Sequence, residues 1–355
     1  MSISMSGKHS EPPLKEDVAP PSSIPRPPLD PAFAYPTIVA AVSDTGNTDL
    51  ISTTRSMTQG TTADDILQKF PNLEHTEHTA PGLSPNQPGV TLPIFQSKES
   101  STKSHRRPVL YHTYGGGQIA GNRFMGLDHS INLFIDGNID AVHVGVEYRL
   151  APEHRAPAAA YDCYAGLVYL ANHAEELGID APKILMYAGS GGAAPAAAAC
   201  ILARNREHPA VRAQMLSMPM LDDRHDSVSA KQFEAGVAWS VAMNRVAWDH
   251  VLGRGAGDSD AVDVDELMAP ARATDLSGLP PAFIDVGECE VFWDEAVVYA
   301  SRIWQCGGTA ELHVWPGSYR GMFPFEPEVP VARAAIDAQR SYIWRLFGGG
   351  ERNLG

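Results

Sequence analysis

A serine set among small residues is the first candidate for chemistry in this sequence. Ser190 lies in Tyr187-Ala-Gly-Ser-Gly-Gly-Ala193, between an apolar segment and an alanine-rich segment. Small neighbours permit the sharp strand-to-helix turn that lifts a nucleophilic hydroxyl above a sheet. The G-x-S-x-G pattern is incomplete, because Ala188 stands at its first position. Taken alone, the segment is typical of a nucleophile turn or of an ordinary tight turn.

Three consecutive glycines form a second candidate. They stand in Tyr114-Gly-Gly-Gly-Gln118, directly after the apolar run 108–114. Consecutive glycines allow backbone N–H groups to face a bound oxygen without side-chain obstruction, as an oxyanion hole requires. The alternative is a loop in which the glycines supply only conformational freedom.

Arg320 is the third candidate, in the turn that follows the predicted strand over 309–315. A guanidinium is protonated at any accessible pH and has no lone pair to accept a proton. It can bind a carboxylate or a developing oxyanion, but it cannot act as a general base. Any reaction at this position must therefore obtain its base elsewhere.

The elements that would position these residues alternate between strand and helix. Such alternation predicts a mostly parallel sheet with helices on both faces. A strand-like stretch with Pro/Gly turns, His75–Phe95, precedes it. The predicted strands are 108–114, 140–148, 183–188, 213–221, 281–287 and 309–315, and the predicted helices are 158–174, 190–206, 294–306 and 330–347.

Composition limits the partners and the compartment. The formal net charge of -15 argues against a nucleic-acid or anionic-membrane partner, because no basic patch is available to neutralise phosphates. The four cysteines show no CxxC or Cys/His pattern, so we expect free thiols and neither a metal nor a cofactor. Without an apolar signal segment or a membrane-length apolar run, the sequence predicts a cytoplasmic protein. A homodimer remains open.

Residues 1–30 are polar and proline-rich, which predicts a disordered tail, because such a segment buries too little apolar surface to become ordered. The remainder, 31–355, has the length of a single α/β domain. Its first part, 31–70, has a helical pattern, including a capped amphipathic segment that starts at Thr62.

Two longer motifs give the chain a family resemblance. Tyr148-Arg-Leu-Ala-Pro-Glu-His-Arg-Ala-Pro-Ala-Ala159 matches the YRLAPEHPFPAA segment of the hormone-sensitive lipase branch of the α/β-hydrolase superfamily, and Leu279–Glu295 matches its acid region. The chain resembles this family from about Pro27 to Phe347. The resemblance implies an α/β-hydrolase fold with a helical cap contributed by about 31–70 and 222–260.

The resemblance also implies a role for each matching position. Ser190 is the nucleophile, and Glu290 is the acid, with Asp294 as a nearby substitute. The family's catalytic histidine is replaced by Arg320, and the histidine of its HGGG motif by Tyr114. The oxyanion would be bound by the amides of three glycines, Gly116, Gly117 and Gly191.

This pattern predicts a site with reduced hydrolytic power. Without a base, Ser190 keeps the weak nucleophilicity of an alcohol at neutral pH. We expect Arg320 to form a bidentate ion pair with Glu290 that lowers the pKa of this carboxyl. His112 lies on the same strand face as Tyr114, but we do not expect it to replace the missing base.

The leading hypothesis from sequence is a non-hydrolytic enzyme on a lipase-like scaffold, which cyclises, isomerises or eliminates from a small hydrophobic carbonyl compound. Proton transfer is assigned to Tyr114, Tyr319, Ser190 or Glu290. An apolar pocket lined by aromatic residues, with Trp248 and Trp293 as substrate contacts, would enclose the substrate. The alternatives are a residual or altered carboxylesterase that uses Ser190, and a receptor-like small-molecule binding protein.

Overall fold

A computed structural model describes residues 24–34, 50–58, 60–99, 106–254 and 263–348. Within them, eight strands form one sheet in the order β1-β2-β4-β3-β5-β6-β7-β8. The strands are β1 (Leu73–Ala80), β2 (Val90–Ser97), β3 (Arg107–Thr113), β4 (Val142–Gly145), β5 (Ile179–Gly189), β6 (Ala213–Ser217), β7 (Ala282–Gly287) and β8 (Ala310–Trp315). β1 pairs with β2 and β2 with β4 in antiparallel fashion, and the other neighbours are parallel.

Helices cover both faces of the sheet, as the alternating pattern predicts. They are α1 (Leu50–Thr58), α2 (Ala63–Lys69), α3 (Leu127–Asp136), α4 (Ala158–Asn172), α5 (Ala193–Asn205), α6 (Val228–Gln232), α7 (Val241–Leu252), α8 (Trp293–Gln305), α9 (Met322–Phe325) and α10 (Pro330–Phe347). α3 and α10 pack together on one face, and α4 and α5 pack together on the other. No helix in the described ranges combines the length and the apolar character needed to cross a membrane.

The central strands are buried on both faces, which explains their continuous apolar runs. Every residue of β7 and of β6 is buried, and in β3 only Pro108 is partly exposed. The predicted strand over 213–221 is too long, because the chain leaves the sheet at Met218, which has a φ of 42°. The α/β-hydrolase fold predicted from the sequence is confirmed.

The segment 24–30 corrects the predicted extent of the tail. Arg26 Nε donates to the carbonyl of Gln232 (2.6 Å), and Gln232 Nε2 donates to the carbonyl of Pro25 (2.6 Å). The amide of Asp30 donates to the carbonyl of Gly317 (2.9 Å). These bonds hold residues 24–30 on the domain, whereas residues 1–23 of the predicted tail lie outside the described part.

The predicted cap segment 31–70 is divided in the structure. α1 packs against α7, which belongs to the predicted cap segment 222–260. α2 instead packs against β1 and α3, where Ile66 and Phe70 join Leu73 and Leu127 in a separate apolar cluster. α2 therefore supports the edge of the sheet rather than the cap. Residues 35–49 and 255–262 lie outside the described ranges.

Candidate active site

Ser190 occupies the sharp turn that its small neighbours predict. β5 ends at Gly189, a 3-10 turn spans Ser190–Gly192, and α5 starts at Ala193. The φ of Ser190 is 54°, a left-handed value that is unusual outside glycine and typical of a strained functional residue. A side chain at Gly192 would place its Cβ 2.2 Å from the carbonyl oxygen of Tyr114. Glycine here therefore lets the turn approach the loop after β3.

The glycine loop lies against this turn as an oxyanion hole requires. A Cβ on Gly191 would lie 2.4 Å from the amide nitrogen of Gly117. Gly116 and Gly117 have φ values of 96° and 63°. Within residues 106–254, the N–H groups of Gly116 and Gly117 donate no backbone hydrogen bond. The structure thus brings together all three glycines that the sequence assigns to oxyanion binding.

Arg320 lies beside Ser190, the predicted nucleophile. Its Nη2 donates a hydrogen bond to Ser190 Oγ. The guanidinium carbon stands 5.2 Å from the ring centroid of Trp239, in the loop before α7, and 5.5 Å from that of Phe292, directly before α8. Such cation–π contacts hold a guanidinium in place. The residue at the predicted base position therefore contacts the predicted nucleophile as a hydrogen-bond donor.

Glu290 is near Arg320, but the predicted bidentate pair is wrong. Arg320 Nε and Glu290 Oε2 are 3.9 Å apart, and only 2% of the Glu290 side chain is exposed. Burial raises the pKa of Glu290 from 4.5 to about 8, although Arg320 and the amide of Phe292 act in the opposite direction. The predicted lowering of the Glu290 pKa is also wrong, because the desolvation of this carboxyl raises its pKa more than the guanidinium of Arg320 lowers it.

Two residues close to Glu290 form hydrogen bonds with the cap helix α6. Asp294 Oδ2 accepts from the amide of Ser229 (2.6 Å), so the substitute acid is occupied at the start of α6. Trp293 Nε1 donates to Gln232 Oε1 (3.3 Å) at the end of the same helix. The indole of Trp293 therefore contacts the cap, and its predicted contact with a substrate stays a prediction.

Tyr114 does not have the catalytic position predicted for it. Its ring is fully buried and stacks on Tyr148, with ring centroids 4.2 Å apart. Its hydroxyl lies 3.2 Å from both Glu147 Oε1 and the carbonyl of Tyr148. Tyr148 in turn donates to the carbonyl of Tyr114 (2.8 Å). The stacked pair of tyrosines supports the glycine loop through these hydrogen bonds. Tyr114 is therefore a structural residue that transfers no proton to a substrate.

Tyr319 and Trp248 are also structural. Tyr319 donates its hydroxyl to Glu326 Oε2 (2.7 Å) and packs edge-on against Phe33, with centroids 5.0 Å apart. Trp248 is fully buried in α7, within the main core cluster. Neither side chain has the predicted role at the site. Packing sets the direction in which each side chain points, and the spacing of residues along the chain does not reveal this packing.

Within the described ranges, no histidine is hydrogen-bonded to Ser190 Oγ, which accepts from Arg320. His112 Nε2 lies 3.0 Å from the carbonyl of Met125, and its Nδ1 lies 3.1 Å from Ser130 Oγ. Burial lowers the pKa of His112 to about 4. Both ring nitrogens are engaged, so the expectation that His112 does not substitute is consistent with the geometry. Nor do the described residues hold a group of three or more His, Cys, Asp or Glu side chains suited to a metal.

Sequence reasoning missed Phe292 and gave Trp239 only a general place in the cap. Their contacts with Arg320 depend on two loops that meet only in the folded chain. The sequence offers one hint of the role of Phe292, because this aromatic residue lies two positions after the predicted acid, Glu290.

Several known proteins that this chain resembles are named as esterases. A family model described as alpha/beta hydrolase fold matches residues 109–323, more than half of the chain. Carboxylesterase NlhH of Mycobacterium tuberculosis is 31% identical over 247 residues, covering 64% of this chain and 70% of that protein. An arylesterase of Saccharolobus solfataricus is 28% identical over 208 residues, covering 59% and 66%. The structure of a bacterial heroin esterase superposes with a TM-score of 0.76 at 30% identity, covering 90% of this chain and 98% of that one.

These similarities bear on the two enzymatic hypotheses from sequence. The resemblance to the hormone-sensitive lipase branch is confirmed. The relatives are named for ester hydrolysis, so the comparisons favour the esterase alternative and give no support to cyclisation, isomerisation or elimination.

Proposed function

Because the chain belongs to the α/β-hydrolase family, in its hormone-sensitive lipase-like branch, we propose that it cleaves carboxylic esters through an acyl intermediate on Ser190. The observation that carries this proposal is the strained turn at Ser190 beside the amides of Gly117 and Gly191. A nucleophile and an oxyanion site in this arrangement are the two parts that acyl transfer needs.

The acylation step requires no protein base when the leaving group is good. Ser190 Oγ forms a bond to the carbonyl carbon, and the carbonyl oxygen becomes an oxyanion held by the loop amides. The bond to the alcohol oxygen then breaks. A leaving group such as p-nitrophenolate departs as an anion, and the proton of Ser190 passes to hydroxide or water. The substrate class is therefore esters of acidic alcohols and phenols.

Arg320 has two opposed effects on this step. Its positive charge next to Oγ favours the alkoxide form of Ser190, because an adjacent cation stabilises the deprotonated oxygen. Its hydrogen bond also occupies a lone pair of Oγ and so reduces attack by the neutral hydroxyl. The reaction should depend on the alkoxide, and its rate should rise with pH.

Deacylation is the slower half of the cycle. Water must attack the acyl-serine, and in other members of the fold a histidine removes its proton. Arg320 cannot accept that proton, so the acyl-enzyme persists until hydroxide or unassisted water cleaves it. Loss of the base in a triad costs on the order of 10⁶ in turnover, while roughly 10³–10⁴ over water remains from binding and the oxyanion hole.

The experiment is hydrolysis of p-nitrophenyl butyrate by the natural protein and by Ser190→Ala. The proposal predicts that the first p-nitrophenolate per protein is released faster than the later ones, and that both phases are absent from Ser190→Ala. Equal rates in the two proteins would refute it.

A second candidate function is supported by the Arg320–Ser190 hydrogen bond itself. A guanidinium held at the nucleophile can bind a carbonyl, enolate or carboxylate oxygen without covalent chemistry. This would allow isomerisation, elimination or cyclisation of a small carbonyl compound, or simple ligand binding. Tight retention of such a ligand without acylation of Ser190 would favour this candidate over the esterase.

A further inference from the structure

The indole of Trp239 contacts two separate parts of the candidate site. A Cβ on Gly117 would lie 2.7 Å from Cη2 of this indole, so the benzene ring of the indole rests directly on the glycine loop. The guanidinium carbon of Arg320 lies 5.2 Å from a ring centroid of Trp239. The position of this one buried side chain therefore affects both the oxyanion site and the guanidinium that contacts Ser190.

The opposite end of the indole is held by one buried amide. Trp239 Nε1 donates to Asn244 Oδ1 (3.1 Å), and Asn244 is fully buried in α7. Ser240 is the N-cap residue of α7, so Trp239 directly precedes the N-cap and Asn244 is the fourth residue of the helix. Residues at these two positions often form an apolar contact that fixes the direction in which the chain enters the helix. Here a hydrogen bond joins them, and it also sets the orientation of the indole.

A histidine fixes the orientation of the Asn244 amide. An indole N–H can only donate, so Oδ1 of Asn244 faces Trp239 and Nδ2 faces away from it. Nδ2 lies 3.3 Å from Nδ1 of His225, which must accept because an amide nitrogen only donates. Burial and the charge of Arg245 lower the pKa of His225 to about 4, so the imidazole is neutral at pH 7 and can accept. The order of donors and acceptors therefore allows one orientation of the amide.

A buried amide at Asn244 favours a fixed indole over a more apolar core. Burying an amide is unfavourable unless its polar atoms are hydrogen-bonded. Leucine has nearly the same volume and would fill the same space, but it would leave the Trp239 N–H without this acceptor. Gly117 lies between the Trp239 ring and the turn that contains Gly191. A fixed indole therefore fixes the backbone of Gly117 against that turn.

We propose that Asn244 is a positioning residue of the oxyanion site, which orients the Trp239 indole and thereby holds the amide of Gly117 in place. The proposal rests on the esterase function proposed above and adds a residue of the cap to the groups that place the oxyanion donors. Such donors act only if they are held in position before the reaction. A displacement of about 1 Å can cost about 10²-fold in rate.

The test measures the rate constant and the final extent of Ser190 labelling by a fluorophosphonate. Asn244→Leu should lower the rate constant at least about tenfold, because Gly117 is no longer held in place. Labelling should still reach one group per protein, whereas a misfolded fraction would lower this extent and not the rate constant. Asn244→Asp keeps an oxygen that accepts from Trp239, so it should retain most of the rate.

Two further variants exclude a general loosening of the cap and an effect through Arg320. Gln232→Leu removes another buried amide of the cap, whose partners are Pro25 and Trp293, and should leave the rate constant unchanged. In Arg320→Ala, the added Asn244→Leu should still lower the rate constant about tenfold, because the glycine loop carries the effect. Equal effects of Gln232→Leu and Asn244→Leu, or no effect of Asn244→Leu in Arg320→Ala, would overturn the proposal.

A measurement without chemistry separates this proposal from the esterase proposal. In NMR spectra of protein labelled at the nitrogen atoms of glycine and tryptophan, Asn244→Leu should speed the exchange of the Trp239 indole N–H with solvent. It should also shift the amide signal of Gly117, whereas Gln232→Leu should change neither. These changes in a protein whose Ser190 is never labelled would uphold the positioning of the loop and refute the esterase. Labelling of Asn244→Leu at the natural rate, with an unchanged Gly117 signal, would overturn the positioning role and leave the esterase standing.

Discussion

Arg320 donates a hydrogen bond from its guanidinium to the hydroxyl oxygen of Ser190. In a serine hydrolase the partner of this hydroxyl normally accepts its proton. Here the partner can only donate, while the turn and the glycine loop keep the geometry of acyl transfer. Under the proposed esterase function, the site keeps the groups that stabilise an oxyanion, and within the described residues Ser190 Oγ is hydrogen-bonded to a cation rather than to a histidine.

The substitution Arg320→His should restore the missing base. An imidazole beside Ser190 would accept its proton, so the steady-state rate on p-nitrophenyl butyrate should rise by about 10²-fold or more, the range of general-base catalysis. Arg320→Lys is the control, because it keeps a cation without supplying a base at neutral pH. A rise of similar size in Arg320→Lys would contradict this explanation.

Glu290 should make the stability of the protein depend on pH. Its folded-state pKa of about 8 lies above the ordinary value of 4.5, so the folded protein keeps a proton that the unfolded chain releases. Stability from this group is present below about pH 4.5 and is lost as pH rises through 8. In Glu290→Gln, the Tm relative to the natural protein should therefore rise between pH 5 and pH 9, by about 5 °C.

The control for this experiment is Glu176→Gln, at an exposed position of the chain. It should leave the pH dependence of Tm unchanged. If the Tm difference between Glu290→Gln and the natural protein is the same at pH 5 and pH 9, the raised pKa of Glu290 is wrong.

The close contact between Gly191 and Gly117 predicts that a single methyl group disrupts the oxyanion site. In Gly191→Ala the new Cβ would lie 2.4 Å from the Gly117 amide nitrogen, so the loop must move away. Loss of one oxyanion donor costs about 10²–10³ in rate. Labelling of Ser190 by a fluorophosphonate should slow accordingly.

Gly189→Ala is the matched control for that substitution, because a Cβ there meets nothing within 4 Å. Equal labelling rates in the two alanine variants would show that the Gly191–Gly117 contact has no part in the reaction.

Residues 24–30 should stabilise the cap. Removing residues 1–30 eliminates the bonds between Arg26, Pro25 and Gln232, and the Asp30–Gly317 bond. At about 1 kcal/mol for each hydrogen bond, the expected loss lowers Tm by about 5 °C. The control is the protein without residues 1–23, so the additional loss of Tm on deleting residues 24–30 measures these bonds. Equal Tm values for the two shortened proteins would contradict the docking of residues 24–30.

The strands of the sheet could be predicted from the sequence because strands that are buried on both faces consist mainly of apolar residues. β3 and β7 are buried on both faces, and each is a short apolar run with a glycine close behind it or at its end. The turn at Ser190 was predictable for a similar reason, since only small residues allow the close approach of Gly192 to the loop after β3.

The errors concern the direction of side chains. Tyr114 stands at the position of a family histidine, yet its phenol lies under the loop because it stacks on Tyr148. Tyr319 adjoins Arg320 in sequence, but its hydroxyl binds Glu326. Glu290 lies near Arg320 as expected, but the distance between the two side chains and the raised pKa of Glu290 depend on burial, which no local pattern reveals.

The most direct test of the account is the intact mass of the protein shortly after mixing with p-nitrophenyl butyrate. We predict one butyryl group on the natural protein, attached to Ser190, that decays slowly and disappears faster as pH rises. Ser190→Ala should show no adduct. Hydrolysis of the ester with no butyryl adduct, or an adduct that persists in Ser190→Ala, would contradict a reaction through Ser190.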